Sequence, residues 1–539
     1  MKKKLSLALV VLLVFSLIAA CAPAATPDPP PPTDPPTQQT EPTEPTELII
    51  ATMPEDGRYG GILRQVTTVE GAGPIGLPWT RAPQDDPLTG AIMEAFTREH
   101  EDGSVSAALA HSWDVDPDDR RITFFLQEGV RFHDGSPWNA HVAAWNIETR
   151  LASPRSFSNP PYNVEVLDNY TITFQLPDGI TNSTLGLFSQ PAWRMVSMES
   201  YLANGTEWAE QNPIGTGPFR FVDYTLGLQL TLERNDDYWM PELPFLDGVE
   251  YHFIRDVMTQ QLALRAPHGE GAVDALRTHS AEISSTFRDL GYRLVPNHIL
   301  TLGLFPSSNP DSNPDSPWTN LYVRRALSAA IDRAAITNSV GFGIWEPAYQ
   351  WIVPARAAWV PDPGYGVPGF DPDYARELLE RGGFPDGFDT TIIVQPGATT
   401  NDAIVAIQYM LSNVGINAEI QFPDGGGFTT IRNGGWEGII VHNIMNFIHM
   451  EGMFTSMFSR NTNWFYSMRN SDEWHEMGEE TAFLGDNTEE VRRAQHYSLD
   501  EAIIIPVWYT NSSIIVRGGL MGWYGSTQQN WYRYMYWED

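Results

Sequence analysis

His133 and Asp134 stand side by side in a tight Asp-Gly turn, where they could form an acid-base pair, although such neighbours serve the turn itself more often. Asp114, Asp116 and Asp118 are spaced like calcium-loop ligands, but Asp119 replaces the glycine such a loop needs and Phe125 stands where its closing Glu belongs. They read as a solvated hairpin turn. The sequence holds no G-x-S-x-G elbow, no H-E-x-x-H, no phosphate-binding loop with its Lys and no paired-cysteine metal site. Two carboxylates can hydrolyse a glycoside, and 67 acidic residues offer many pairs, so a secreted glycosidase or peptidase stays open as an alternative of a different class. No catalytic residue, metal site or cofactor is assigned.

The elements around these residues are readable. Ile122, Phe124 and Leu126 alternate as a half-buried strand, as do the residues from Thr171 to Leu176. A helix is expected with Ser136 as N-cap and Pro137 at its first position, its inner face formed by Ala140, Ala144, Ile147 and Leu151. Val323, Ala326, Leu327, Ala330 and Ile331 make one helical stripe, with Arg324, Arg325, Asp332 and Arg333 outside it. Asp371-Pro372 opens another helix, which Gly382-Gly383 ends. The β-branched run Thr390 to Val394, a stripe of Ile404, Ile407, Leu411 and Val414, and the alternation from Ile416 to Phe422 form a βαβ unit with a parallel strand pair.

Lys2, Lys3 and Lys4 precede an apolar run too short to span a bilayer comfortably, and Cys21, the single cysteine, comes directly after small residues. Residues 1–21 therefore read as a lipoprotein signal, with Cys21 lipidated and the chain anchored to the bacterial membrane on its extracytoplasmic side. Residues 22–47, rich in Pro, Thr and Glu, read as a disordered tether. The chain from residue 48 onward is too long for one core, so two or more lobes are expected. The formal net charge of −34 excludes nucleic acid as a partner. No lysine occurs after residue 4, which suits an alkaline or saline habitat, with compositional drift the open alternative.

A series of blocks resembles the family 5 extracellular solute-binding proteins, the peptide, nickel and oligosaccharide receptors of ABC importers. They include Tyr59-Gly60-Gly61-Ile62-Leu63-Arg64, Gly129-Val130-Arg131-Phe132-His133-Asp134-Gly135, Pro213-Ile214-Gly215-Thr216-Gly217-Pro218-Phe219, and Glu233-Arg234-Asn235-Asp236-Asp237-Tyr238-Trp239. Val323-Arg324-Arg325-Ala326-Leu327 with Asp332-Arg333 continues the series. Glycines 215 and 217 read as positive-φ turn positions, and Arg234 with Asp237 as a clamp on the next turn.

The resemblance implies an α/β, two-lobed periplasmic-binding-protein-like fold that hinges on its ligand, with an extra subdomain in the first lobe. Lobe I would take residues 48–300 plus 506–539 and lobe II residues 301–505, with Ile503-Ile504-Ile505-Pro506 as the return crossing. It implies a monomer that binds a small molecule without transforming it and hands it to ABC permease subunits. Trp79, Trp345, Trp436 and Trp464, in Gly-, Pro- or Asn-rich loops, are the candidates for the cleft wall. Peptide-binding members hold the ligand's ammonium with a second-lobe carboxylate, and the comparable stretch Val441 to Phe447 has no acid. Either Glu451 substitutes, or the ligand is an oligosaccharide for which Asn443 and Asn446 supply hydrogen bonds. An oligopeptide is ranked first and an oligosaccharide second; a purely structural surface lipoprotein is a third reading.

Overall fold

The computed structural model describes residues 59–538 apart from 68–74, 81–85, 154–162, 177–179, 182, 270, 297, 361–368, 446, 460–465, 470, 482–487 and 524–531. Cys21 and the expected signal and tether lie outside these residues.

Two large sheets organise the chain. The first has seven strands, in the order Arg293–Val295, Ser513–Val516, Ala275–Thr278, Ile62–Thr67, Gly248–Phe253, Gln229–Arg234 and Phe219–Thr225. Ile62–Thr67 runs parallel to both its neighbours, and the outer strands are antiparallel. The second has six, in the order Glu346–Pro347, Ile505–Asn511, His298–Pro306, Ile439–Met445, Phe388–Val394 and Ile416–Gln421. A third, antiparallel sheet of four strands (Ala110–Asp116, Arg121–Leu126, Thr171–Gln175, Asn163–Val166) inserts after the first strand of the first sheet and forms the extra subdomain. The fold is thus mixed α/β with two lobes.

The chain passes from the first sheet to the second between Val295 and His298 and returns between Asn511 and Ser513. Ile505 and Pro506, expected in the return crossing, are instead paired to Leu304 and Gly303 inside the second sheet. The crossing falls at Ser512, because β-branched and aromatic residues carry the strand on through Val507, Trp508 and Tyr509.

The βαβ unit forms as expected: Phe388–Val394 pairs parallel with Ile416–Gln421 across the helix Asn401–Ser412. Asp371 caps the helix Pro372–Arg381 by accepting from Asp373 N and Tyr374 N, with Pro372 at its first position. The first-lobe helix starts later than expected, at Ala140, because Asn139 accepts from His141 N and Val142 N while Ser136 serves the preceding turn.

The stripe at Val323 is right on its apolar side and wrong on its polar one. The helix Leu321–Ala329 ends there, and Asp332 caps a second helix, Arg333–Ser339. Arg324 is 0% and Arg333 1% exposed. Arg324 donates to the carbonyls of Trp318, Thr319 and Glu501; Arg333 donates to those of Ser328, Ala348 and Pro506. A guanidinium has five donors, so each arginine ties together carbonyls from several separate segments. Arg333 ties the second-lobe helices to the start of the strand that leads back to the first lobe.

Gly215 and Gly217 do not adopt positive φ. A Cβ on Gly215 would lie 2.1 Å from Ile92 O, and one on Gly217 2.6 Å from the same oxygen, so close backbone approach is what requires glycine. Arg234 pairs with Asp236 and Asp247, while Asp237 pairs with Arg220.

Candidate interlobe site

The two lobes meet where a short hairpin of the first lobe faces a helix start of the second. Thr97–Glu99 pairs antiparallel with Val105–Ala107, and its three residues are buried. Glu99 reaches to His449, Oε1 to Nε2 3.2 Å, with side chains 5% and 9% exposed. Two glycines make room for this pair. A Cβ on Gly186 would stand 1.9 Å from Glu99 Oε1, and one on Gly103 2.9 Å from His449 Cε1.

Neighbouring contacts bridge the same boundary. Ser183 N donates to Glu451 Oε2 at 3.2 Å. Arg356 donates through Nη1 to the Glu101 carbonyl (2.7 Å) and through Nε to that of Phe447 (3.2 Å). His449 precedes the helix Met450–Met453, which carries Glu451 in its first turn. A carboxylate there also meets the favourable end of the peptide dipoles. The second lobe thus presents Arg356, His449 and Glu451 to the first-lobe residues Glu99, Glu101 and Ser183. These polar groups, buried or half-buried, are the kind that orient a ligand between lobes.

Glu451 is therefore the sequence candidate that the structure brings to the interlobe boundary. Asn443 lies in the strand Ile439–Met445, where its side-chain amide donates to Ala398 O and its N–H donates to Gln395 Oε1. The three described tryptophans lie in three separate cores. Trp79 is 4% exposed in the first-lobe core. Trp345, 7% exposed, stacks on Trp508 at 4.7 Å with the rings 2° apart, inside the second lobe. Trp436, 4% exposed, donates from Nε1 to Phe305 O at 3.3 Å on the other face of the second sheet. Asn446 and Trp464 lie outside the described residues.

His442, next to Asn443, is buried against the rings of Phe428 and Phe305. Burial pushes it down to about 4, keeping it neutral at ordinary pH. His133 is likewise held near 4 by burial and bonds Gly217 O, while Asp134 accepts from Ser136, Ser197 and Ser200. That pair belongs to the turn. Asp116 accepts from Asp119 N, closing the acidic hairpin. Among the described residues no three His, Cys, Asp or Glu side chains gather as a metal site, and no helix is long and apolar enough to cross a membrane.

Sequence reasoning missed Glu99, His449 and Arg356. Glu99 sits in a triplet, Thr97-Arg98-Glu99, with no apolar alternation to announce it, and neither His449 nor Arg356 belongs to a motif.

The family described as bacterial extracellular solute-binding proteins, family 5 middle, matches residues 104–466. The glutathione-binding protein GsiB of Salmonella typhi is 27% identical over 354 residues, 64% of this chain and 66% of that protein. The counterpart from Escherichia coli O157:H7 is 26% identical over the same span. The alignment thus covers slightly less than two thirds of these relatives' length. Among solved structures, HbpA2 from Haemophilus parasuis has a TM-score of 0.75 at 19% identity, covering 89% of this chain and 100% of that one. DppA from Helicobacter pylori, in complex with the peptide STSA, has a TM-score of 0.64 at 21% identity, covering 90% and 99%.

Proposed function

Because the chain belongs to the bacterial extracellular solute-binding proteins of family 5, we propose that it captures an oligopeptide between its two lobes and delivers it to the permease of an ABC importer. The observation that carries this reading is the ring of polar contacts across the lobe boundary: Glu99 with His449, Glu451 with Ser183 N, and Arg356 with Glu101 O. Polar contacts of this kind can be exchanged for ligand contacts, as hinged capture requires.

The similarity to glutathione-binding proteins and to a peptide-bound DppA favours a peptide. Glu451 supports it from this chain's own residues: a carboxylate already donated to by a backbone N–H can take an ammonium instead, giving a charge-assisted bond. Burial of Trp79, Trp345 and Trp436 removes three stacking platforms that an oligosaccharide would use, so the peptide stays ahead. In this reading Cys21 carries the lipid, residues 22–47 are the tether, the protein works as an extracytoplasmic monomer, and it performs no chemistry on its ligand.

The test is a thermal-shift comparison of the chain from residue 48 with tri- to pentapeptides and with gluco- and manno-oligosaccharides. Ligand that binds only the native state raises the melting temperature by mass action. Peptides are expected to raise it saturably. A rise with saccharides alone overturns the peptide assignment.

A further inference from the structure

His449 of the second lobe is seated in a socket of the first. The strand Thr97–Glu99 turns and comes back as Val105–Ala107, and Gly103, at φ +87°, closes the turn by donating its N–H to His100 O at 3.0 Å. The imidazole lies between Glu99 and this turn. Its Nε2 stands 3.2 Å from Glu99 Oε1, while a Cβ on Gly103 would be 2.9 Å from Cε1 and 3.3 Å from Nδ1. On the other side of Glu99, Thr97 Oγ1 holds the segment Thr184–Leu187 against the strand by donating to Leu185 O at 3.1 Å. A Cβ on Gly186 of that segment would stand 1.9 Å from Glu99 Oε1.

Backbone therefore walls the pair on two sides, and the side chains are only 5% and 9% exposed. The contacts of Glu451 and Arg356 join a side chain to a backbone group across the boundary, which a ligand group can replace one for one. Glu99 and His449 instead join side chain to side chain inside an enclosed socket. The chain crosses between the lobes at residues 295–298 and 511–513, and neither residue lies in a crossing. Rotation about the crossings parts the two and draws the imidazole out of its socket.

We propose that Glu99 and His449 form a closure latch: the pair is made as the lobes shut, raises the closed fraction of the ligand-free chain and slows release of a captured molecule. Open, both groups are solvated; closed, each satisfies the other. Removing one partner makes closure bury the other group without its bond, which penalises the closed state alone. The effect on release rests on the capture reading and sorts its contacts. Those of Glu451 and Arg356 are given up to ligand, and that of Glu99 with His449 is kept.

The experiment measures the distance between the lobes. Cys21 is the single cysteine, so the full chain with Cys21→Ser takes spin labels at Glu128→Cys in the first lobe and Glu380→Cys in the second, both exposed positions. Without ligand, the chain with an intact latch is expected to show a short-distance population that Glu99→Gln and His449→Leu each lower about threefold. The double variant should fall no further than the more affected single one, since both break one contact. With the tri- to pentapeptides of the thermal-shift set, release should be about fivefold faster in either variant and association no slower. Equal distance populations in all four proteins, single effects that add in the double variant, or an unchanged release rate overturns the proposal. If no peptide binds, the capture reading fails, and the ligand-free distances decide the latch by themselves. Should His449→Leu fail to fold, Glu99→Gln against the unaltered pair decides.

Discussion

Glu99 and His449 are 350 residues apart in the chain and 3.2 Å apart in space, and each depends on a glycine that keeps its place open. The lobe boundary is therefore built as much by missing side chains as by present ones. Gly186→Ala would place a Cβ against Glu99 and is expected to cost about 1–3 kcal/mol, the usual range for overpacking. Glu99→Ala in the same protein should restore most of that loss. Denaturant titration of both single variants and the double variant reads the coupling; strict additivity would contradict the contact.

Arg333 supports the strand that returns to the first lobe. Arg333→Met keeps the stem and removes the side-chain donors to the buried carbonyls of Ala348 and Pro506, while Ser328 O keeps Ile331 N. The expected loss is about 2–5 kcal/mol, measured by urea unfolding. A change within about 0.5 kcal/mol would mean the carbonyls find other donors.

The pH dependence has a definite sign. His442 is held near 4 by burial, whereas a histidine in an unfolded chain titrates near 6.5. Between those values the unfolded state binds a proton that the native state refuses, so stability falls as pH drops from about 6.5 to 4. The contribution is on the order of 3 kcal/mol once the lower end is passed. His442→Phe, between the rings of Phe428 and Phe305, should flatten the slope of unfolding free energy against pH in that window. His100 and His133, also pushed down to about 4, should leave part of the slope in place.

The stacked pair of Trp345 and Trp508 separates packing from ligand contact. Trp345→Ala is expected to cost about 3–5 kcal/mol of stability. Trp345→Phe should leave ligand affinity within twofold, because the ring lies in the second-lobe core. A tenfold loss of affinity in the folded Phe variant would return Trp345 to the cleft wall.

Elements with a strong period were legible in the sequence: the βαβ unit around Asn401–Ser412, the capped helix after Asp371, and the alternating strand Arg121–Leu126. Their apolar residues repeat at the spacing the backbone imposes. Arg324 and Arg333 were misread because their partners are carbonyls up to 177 residues away, and no local pattern records such a bond. The same holds for the boundary. Glu451 was reached through the expected ammonium site, but Glu99, His449 and Arg356 become neighbours only when two lobes fold and meet. Tryptophan in a Gly-rich loop proved a poor guide, since Trp436 turns inward to donate to Phe305 O.

The most direct test of peptide capture is calorimetric titration of the chain from residue 48 with a set of free tri- to pentapeptides, and then mass spectrometry of the recovered peptide. Saturable binding of one peptide per chain is predicted, weakened at least tenfold by Glu451→Gln, with the peptide recovered intact. No heat with any peptide, or recovery of cleaved peptide, would contradict it.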